Sequence, residues 1–90
     1  MRKYIGALKQ SQPERLQLDE FVTVRADGIR DAAIELLARQ HNRGHVQLND
    51  GQTLIAYVAP KDSPRHASGI PLCVHALTLE IGKEVSHAGN

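Results

Sequence analysis

From Leu54 to Ala59 the chain reads Leu-Ile-Ala-Tyr-Val-Ala, and both alternating sets are apolar: Leu54, Ala56 and Val58 on one side, Ile55, Tyr57 and Ala59 on the other. Successive side chains of a strand point to opposite faces of the sheet, so this segment predicts a strand covered on both faces. Leu72 to Ile81 makes the same demand, with Leu72, Val74 and Ala76 set against Cys73, Leu77, Leu79 and Ile81. Only one helix is legible in the chain, and one helix covers one face. Burying an aliphatic side chain contributes roughly 1.5–3 kcal/mol, so a bare second face would be costly and prone to association. Either the polar segment Gln10–Asp19 or the long loop after Ala59 folds over it, or a second copy of the chain or a protein partner does.

The helix starts after Asp27, which stands where an N-cap is wanted to accept from the unpaired N–H groups of the first turn. Ile29, Ala32, Ala33, Leu36 and Leu37 then recur at three- and four-residue steps, with Arg30, Asp31, Glu35 and Arg39 off that stripe. His41-Asn-Arg-Gly44 supplies basic side chains for the last carbonyls and a glycine for the left-handed position after the helix. Strands are predicted at Lys3–Lys9, at Glu20-Phe-Val-Thr-Val-Arg25 and at Leu72–Ile81, and a hairpin joins His45–Asn49 to Gln52–Ala59 around Asp50-Gly51. Pro60 to Pro71, rich in proline, serine and glycine, reads as an exposed loop. The expected fold is α+β in the order β-β-α-β-β-β, one amphipathic helix packed on a mostly antiparallel sheet. It forms a single domain over 1–81 with a flexible tail over 82–90, and if the two strands flanking the helix share the sheet in parallel they need a right-handed crossover.

Lys and Arg number 11 against 10 Asp and Glu, interspersed without runs. Direct nucleic-acid binding thus gets no support from net charge, and Tyr4, Phe21 and Tyr57 do not form the alternating basic and aromatic pattern that stacks unpaired bases. Cys73 is the only cysteine, which excludes an internal disulfide and fits a reducing, cytoplasmic compartment. No stretch approaches the roughly 18 apolar residues of a membrane span.

Five histidines raise the question of a metal, but no three or four donors show ligand spacing. His41 and His45 are separated by the end of the helix, and Cys73 with His75 on one strand face lacks further ligands, so no metal and no cofactor are expected. Nucleophilic chemistry would need Cys73 beside a base, and burial in an apolar strand would raise its thiol pKa and make it inert. There is no G-x-S-x-G, no phosphate-cradling glycine loop and no H-E-x-x-H, so no catalytic residue is named. What is left is surface. The outer helix face with Arg30, Asp31, Glu35 and Arg39, the half-polar Tyr57, and the loop tip of Lys61, Arg65 and His66 are the candidate protein contacts, because transient interfaces set polar groups beside a few apolar anchors.

From Tyr4-Ile5, through Glu20-Phe-Val-Thr-Val-Arg-Ala-Asp-Gly-Ile-Arg-Asp-Ala-Ala33, to the following hairpin, the chain resembles the small phage-borne type I anti-CRISPR proteins in size, element order and an alanine-rich helix start. The resemblance implies a non-enzymatic phage or mobile-element inhibitor in the host bacterial cytoplasm. It would block a type I CRISPR surveillance complex, or its nuclease, by steric occlusion through a protein interface. The family has no common catalytic or ligand motif to carry over, and the near-neutral charge of this chain departs from the acidic members that mimic DNA. Two other classes stay open: a nucleic-acid-binding or regulatory domain acting as a dimer, and a small dimeric enzyme with His75 or His45 in a pocket at the subunit interface.

Overall fold

A computed structural model of the chain describes residues 1–44, 49 and 51–81. Four strands, β1 (Arg2–Lys9), β2 (Val22–Ala26), β3 (Thr53–Pro60) and β4 (His75–Glu80), and one helix, α1 (Ile29–Asn42), follow one another as β-β-α-β-β. The sheet order is β2-β1-β3-β4, with every neighbouring pair antiparallel. β2 and β3 therefore run the same way, and β1 lies between them. The expected α+β architecture of one helix on an antiparallel sheet is what the chain forms. The strand expected over His45–Asn49 falls on residues 45–48, outside those described, as does the tail over 82–90, and the two hydrogen-bonding edges of β3 are taken by β1 and β4.

α1 buries Ala32, Ala33 and Leu36 against Tyr4, Val24, Ala26, Ala56 and Val58, with Leu8, Val22, Ile29, Leu77 and Leu79 packed around them. This is the stripe that the three- and four-residue spacing predicts. Small alanines let the helix lie close, and β1 answers with Gly6. A Cβ there would stand 2.9 Å from Leu36 Cδ2 and 3.1 Å from the Tyr57 carbonyl oxygen, so any side chain would force Leu36 or the β3 backbone to shift. The helix ends as expected, with Gly44 at φ +73° and its N–H donating to the His41 carbonyl.

Several local expectations are corrected. The N-cap is Gly28, not Asp27, and it offers no side-chain bond. The exposed Asp27 carboxylate lies instead 4.0 Å from the Met1 amino group. Glu20 does not open the second strand: Leu18–Glu20 forms a single 3-10 turn, and Glu20 turns back to the Gln17 N–H and to Lys9. The last strand is shorter than predicted, since Leu72 and Cys73 are exposed ahead of β4 and no strand buries the thiol. The loop after β3 is not merely exposed, because it makes its own ladder in place of the one its prolines forgo. His66 N–H donates to Ile70 C=O, Leu72 N–H donates to Pro64 C=O, Arg65 bridges to Pro71, and Pro71 is buried.

Candidate binding site

The sheet face away from α1 carries Ile5, Ala7, Ile55, Tyr57, Ala59 and Ala76, alternate to the residues under the helix. Ile5, Ala7 and Ala59 on it are buried, Ile55 and Tyr57 are half-buried and Ala76 is exposed, so the double demand of β3 is met in part. Of the covers considered, the chain itself supplies a partial one. Residues 12–18 from one side and 66–74 from the other wall a cleft of about 830 Å³, with Tyr57 and Ala76 on the sheet between them.

Each wall is held by specific bonds. The 10–20 segment leaves β1 at Lys9 and returns to it through the Lys9–Glu20 ion pair, while the Glu20 carboxylate also accepts from Gln17 N–H at 3.2 Å. The Lys9 hydrogen bond first, and then that N–H, hold the Glu20 pKa below its ordinary 4.5. On the other wall Arg65 donates to the Lys61 carbonyl at 2.6 Å and to the Gly69 carbonyl at 3.0 Å, drawing both limbs of the loop onto one guanidinium. The walls meet where Leu18 lies against Gly69. Gly69 has φ +91°, and a Cβ on it would be 2.6 Å from Leu18 Cδ2. The rim is apolar and open to solvent: Leu18 is 44% exposed and Leu72 52%.

The eight candidate contacts do not form one surface. Arg30 and Asp31 are exposed on α1, on the far side of the sheet from Tyr57. Glu35 and Arg39 pair at 3.2 Å, and Arg39 also donates to the Thr23 carbonyl on β2 at 3.3 Å, so it ties the helix to the sheet edge. Tyr57 and His66 come together in the cleft, Arg65 is spent inside the loop, and Lys61 stands beyond β3 at the other end of the same face. Sequence reasoning missed Leu18, Ile70, Leu72 and Val74 as lining residues. Leu18 and Ile70 signalled only as apolar side chains inside polar stretches, whereas Leu72 and Val74 were read as one apolar face of the last strand.

Among the described residues no group of three or more His, Cys, Asp and Glu side chains could hold a metal ion, and no helix is long and apolar enough to cross a membrane. Cys73 and His75, considered together as ligands, do not share a strand. No protein-family model matches the chain, and no curated protein or solved structure matches it either.

Proposed function

We propose that this chain is a non-enzymatic protein-binding domain whose contact surface is the sheet face away from α1. The cleft carries this reading: an opening of about 830 Å³ over Tyr57, rimmed by Leu18 and Leu72, with the shape of one wall set by backbone-directed bonds. Exposed large apolar side chains around a preformed hollow, with polar groups such as His66 and Arg15 beside them, are what a partner side chain or short segment can bury. In its most specific form, which rests on the resemblance in size and element order, the domain is a phage or mobile-element inhibitor. It acts in the bacterial cytoplasm and obstructs a type I CRISPR surveillance complex or its nuclease by occupying a surface.

Affinity purification of the tagged chain from a bacterium with a type I CRISPR system tests both levels. Recovery of surveillance-complex subunits or the nuclease at stoichiometric level, lost with Leu72→Asp, supports the inhibitor. Recovery of a different partner, again lost with Leu72→Asp, keeps the binding domain and removes the inhibitor. A partner retained by Leu72→Asp removes the cleft as its site.

A further inference from the structure

We infer that, if the face away from α1 is the binding face, its second half is a row of three cations, Arg25, Lys3 and Lys61, that receives an acidic segment of the partner protein. Lys3 lies directly opposite Arg25 in the β1–β2 register. Pairing of Tyr4 with Pro60 continues by one residue to bring Lys61 opposite Lys3, and Lys61 N–H donates to the Lys3 carbonyl at 3.0 Å. The three side chains thus share one face across three neighbouring chain segments, within about 10 Å of one another at ordinary strand spacing.

The hydrogen-bonding pattern makes this placement costly. Because the Lys3 carbonyl is used toward Lys61, Lys3 and Arg25 are a non-hydrogen-bonded pair, in which opposed side chains approach most closely. Arg39 bonding to the Thr23 carbonyl, two residues before Arg25, agrees with that alternation, since it shows the odd residues of β2 turning their backbone to the outer edge. Like charges set directly opposite destabilise a sheet. All three side chains are exposed, and none enters an ion pair among the described residues. Lys3 and Lys61 line one hollow of about 740 Å³, where Asp62 is the one acid, while Arg2, opposite Ala26, belongs to the α1 side of the strand.

The cations and the cleft lie on one face. From Lys3 to Ala7, the neighbour of Tyr57, is four residues of β1, roughly 13 Å of extended strand. The fitting occupant is therefore a segment with apolar side chains at one end and carboxylates about 13 Å away at the other. Nucleic acid fits less well. A handful of cations on a chain with 11 basic against 10 acidic residues neutralises few phosphates, and Tyr4, next to Lys3 in β1, is buried under α1 on the other side of the sheet and offers no ring for stacking.

The test measures fluorescence polarisation of the full chain with three labelled probes. One is a peptide with a run of glutamates at one end and leucine and phenylalanine at the other, one is the same peptide with glutamines for glutamates, and one is a short DNA duplex. The glutamate peptide is expected to bind about tenfold more tightly than the glutamine peptide at low salt, the scale of three exposed ion pairs, with the gap closing as salt rises. The gap should vanish in the Lys3→Gln, Arg25→Gln, Lys61→Gln variant, while the glutamine peptide binds as before. Equal affinity of the two peptides overturns the cation row and leaves the binding face standing. Tighter binding of the duplex than of either peptide also overturns it, and failure of both peptides removes the binding face as well. Lys3→Gln alone should raise the melting temperature by relieving the pair, and a fall would assign the row to stability.

Discussion

Leu18 rests on Gly69, so closely that a single added methyl group on the glycine would come within 2.6 Å of Leu18 Cδ2, and the glycine's φ of +91° is one that L side chains rarely adopt. That contact joins the two covers of the second sheet face, and it makes Gly69 the hinge of the cleft's shape. Gly69→Ala should cost about 1–2 kcal/mol from the left-handed backbone alone. Displacing Leu18 should also weaken partner capture. Urea unfolding followed by circular dichroism reads the first effect, and an unchanged midpoint would show that the walls are not packed as described.

A second consequence concerns the sheet edge. Unpaired edges invite association, and β2 is shielded by Arg39, which spans from Glu35 on the helix to the Thr23 carbonyl. Arg39→Ala should lose about 1 kcal/mol, the usual worth of such a bond to a charged donor that is partly exposed. Arg30→Ala, on the same helix but without a bonded partner among the described residues, should be neutral within about 0.5 kcal/mol. Equal losses at the two positions would contradict the role given to Arg39.

Stability should also carry an acid-side signature from Glu20. Its carboxylate is held ionised by Lys9 and the Gln17 N–H, so its pKa in the fold lies below the ordinary 4.5. The stabilisation is complete above that ordinary value and is lost as pH falls through the lowered one. Wild type should therefore melt above Glu20→Gln at neutral pH, and the two curves should converge in the acid range. Thermal melts over that range check the sign, and a gap that widens toward low pH would refute it.

Lys3→Glu converts the repulsive opposition with Arg25 into an attractive one, and Lys61 on its other side adds to the gain. The expected increase is about 0.2–1 kcal/mol, read from the urea midpoint. Lys9→Glu, which removes the partner of Glu20, should move the midpoint the other way.

Much of the fold was legible because a local pattern coincided with a tertiary one. Ala32, Ala33 and Leu36 are spaced for a helix and buried as one stripe, and the doubly apolar Leu54–Ala59 lies inside the sheet, covered by α1 on one face and in part by the chain's own segments on the other. What was not legible depends on groups distant in sequence. Asp27 is a good N-cap by type, yet the helix starts one residue later and leaves Gly28 in that place. Glu20 reads as the start of a β-branched run until Lys9, eleven positions earlier, is brought beside it. The candidate site divided for the same reason: Arg30 and Tyr57 are equally plausible surface residues in the sequence, and only the register shows that they face opposite ways. Leu18, in a segment that reads as polar loop, and Leu72, which reads as the start of the last strand but precedes β4, form the rim because both segments fold onto the sheet.

The face that binds is the central claim, and a paired substitution tests it most directly. Leu72→Asp, at the cleft rim, and Arg30→Ala with Asp31→Ala, on the outer helix face, all change exposed side chains, so each variant should keep the wild-type circular dichroism spectrum. Co-purification from lysate of a type I CRISPR host is then compared by quantitative mass spectrometry. Loss of the captured partner with Leu72→Asp and its retention with the helix pair is the predicted result. Retention with Leu72→Asp and loss with the helix pair would place binding on α1 and contradict the account.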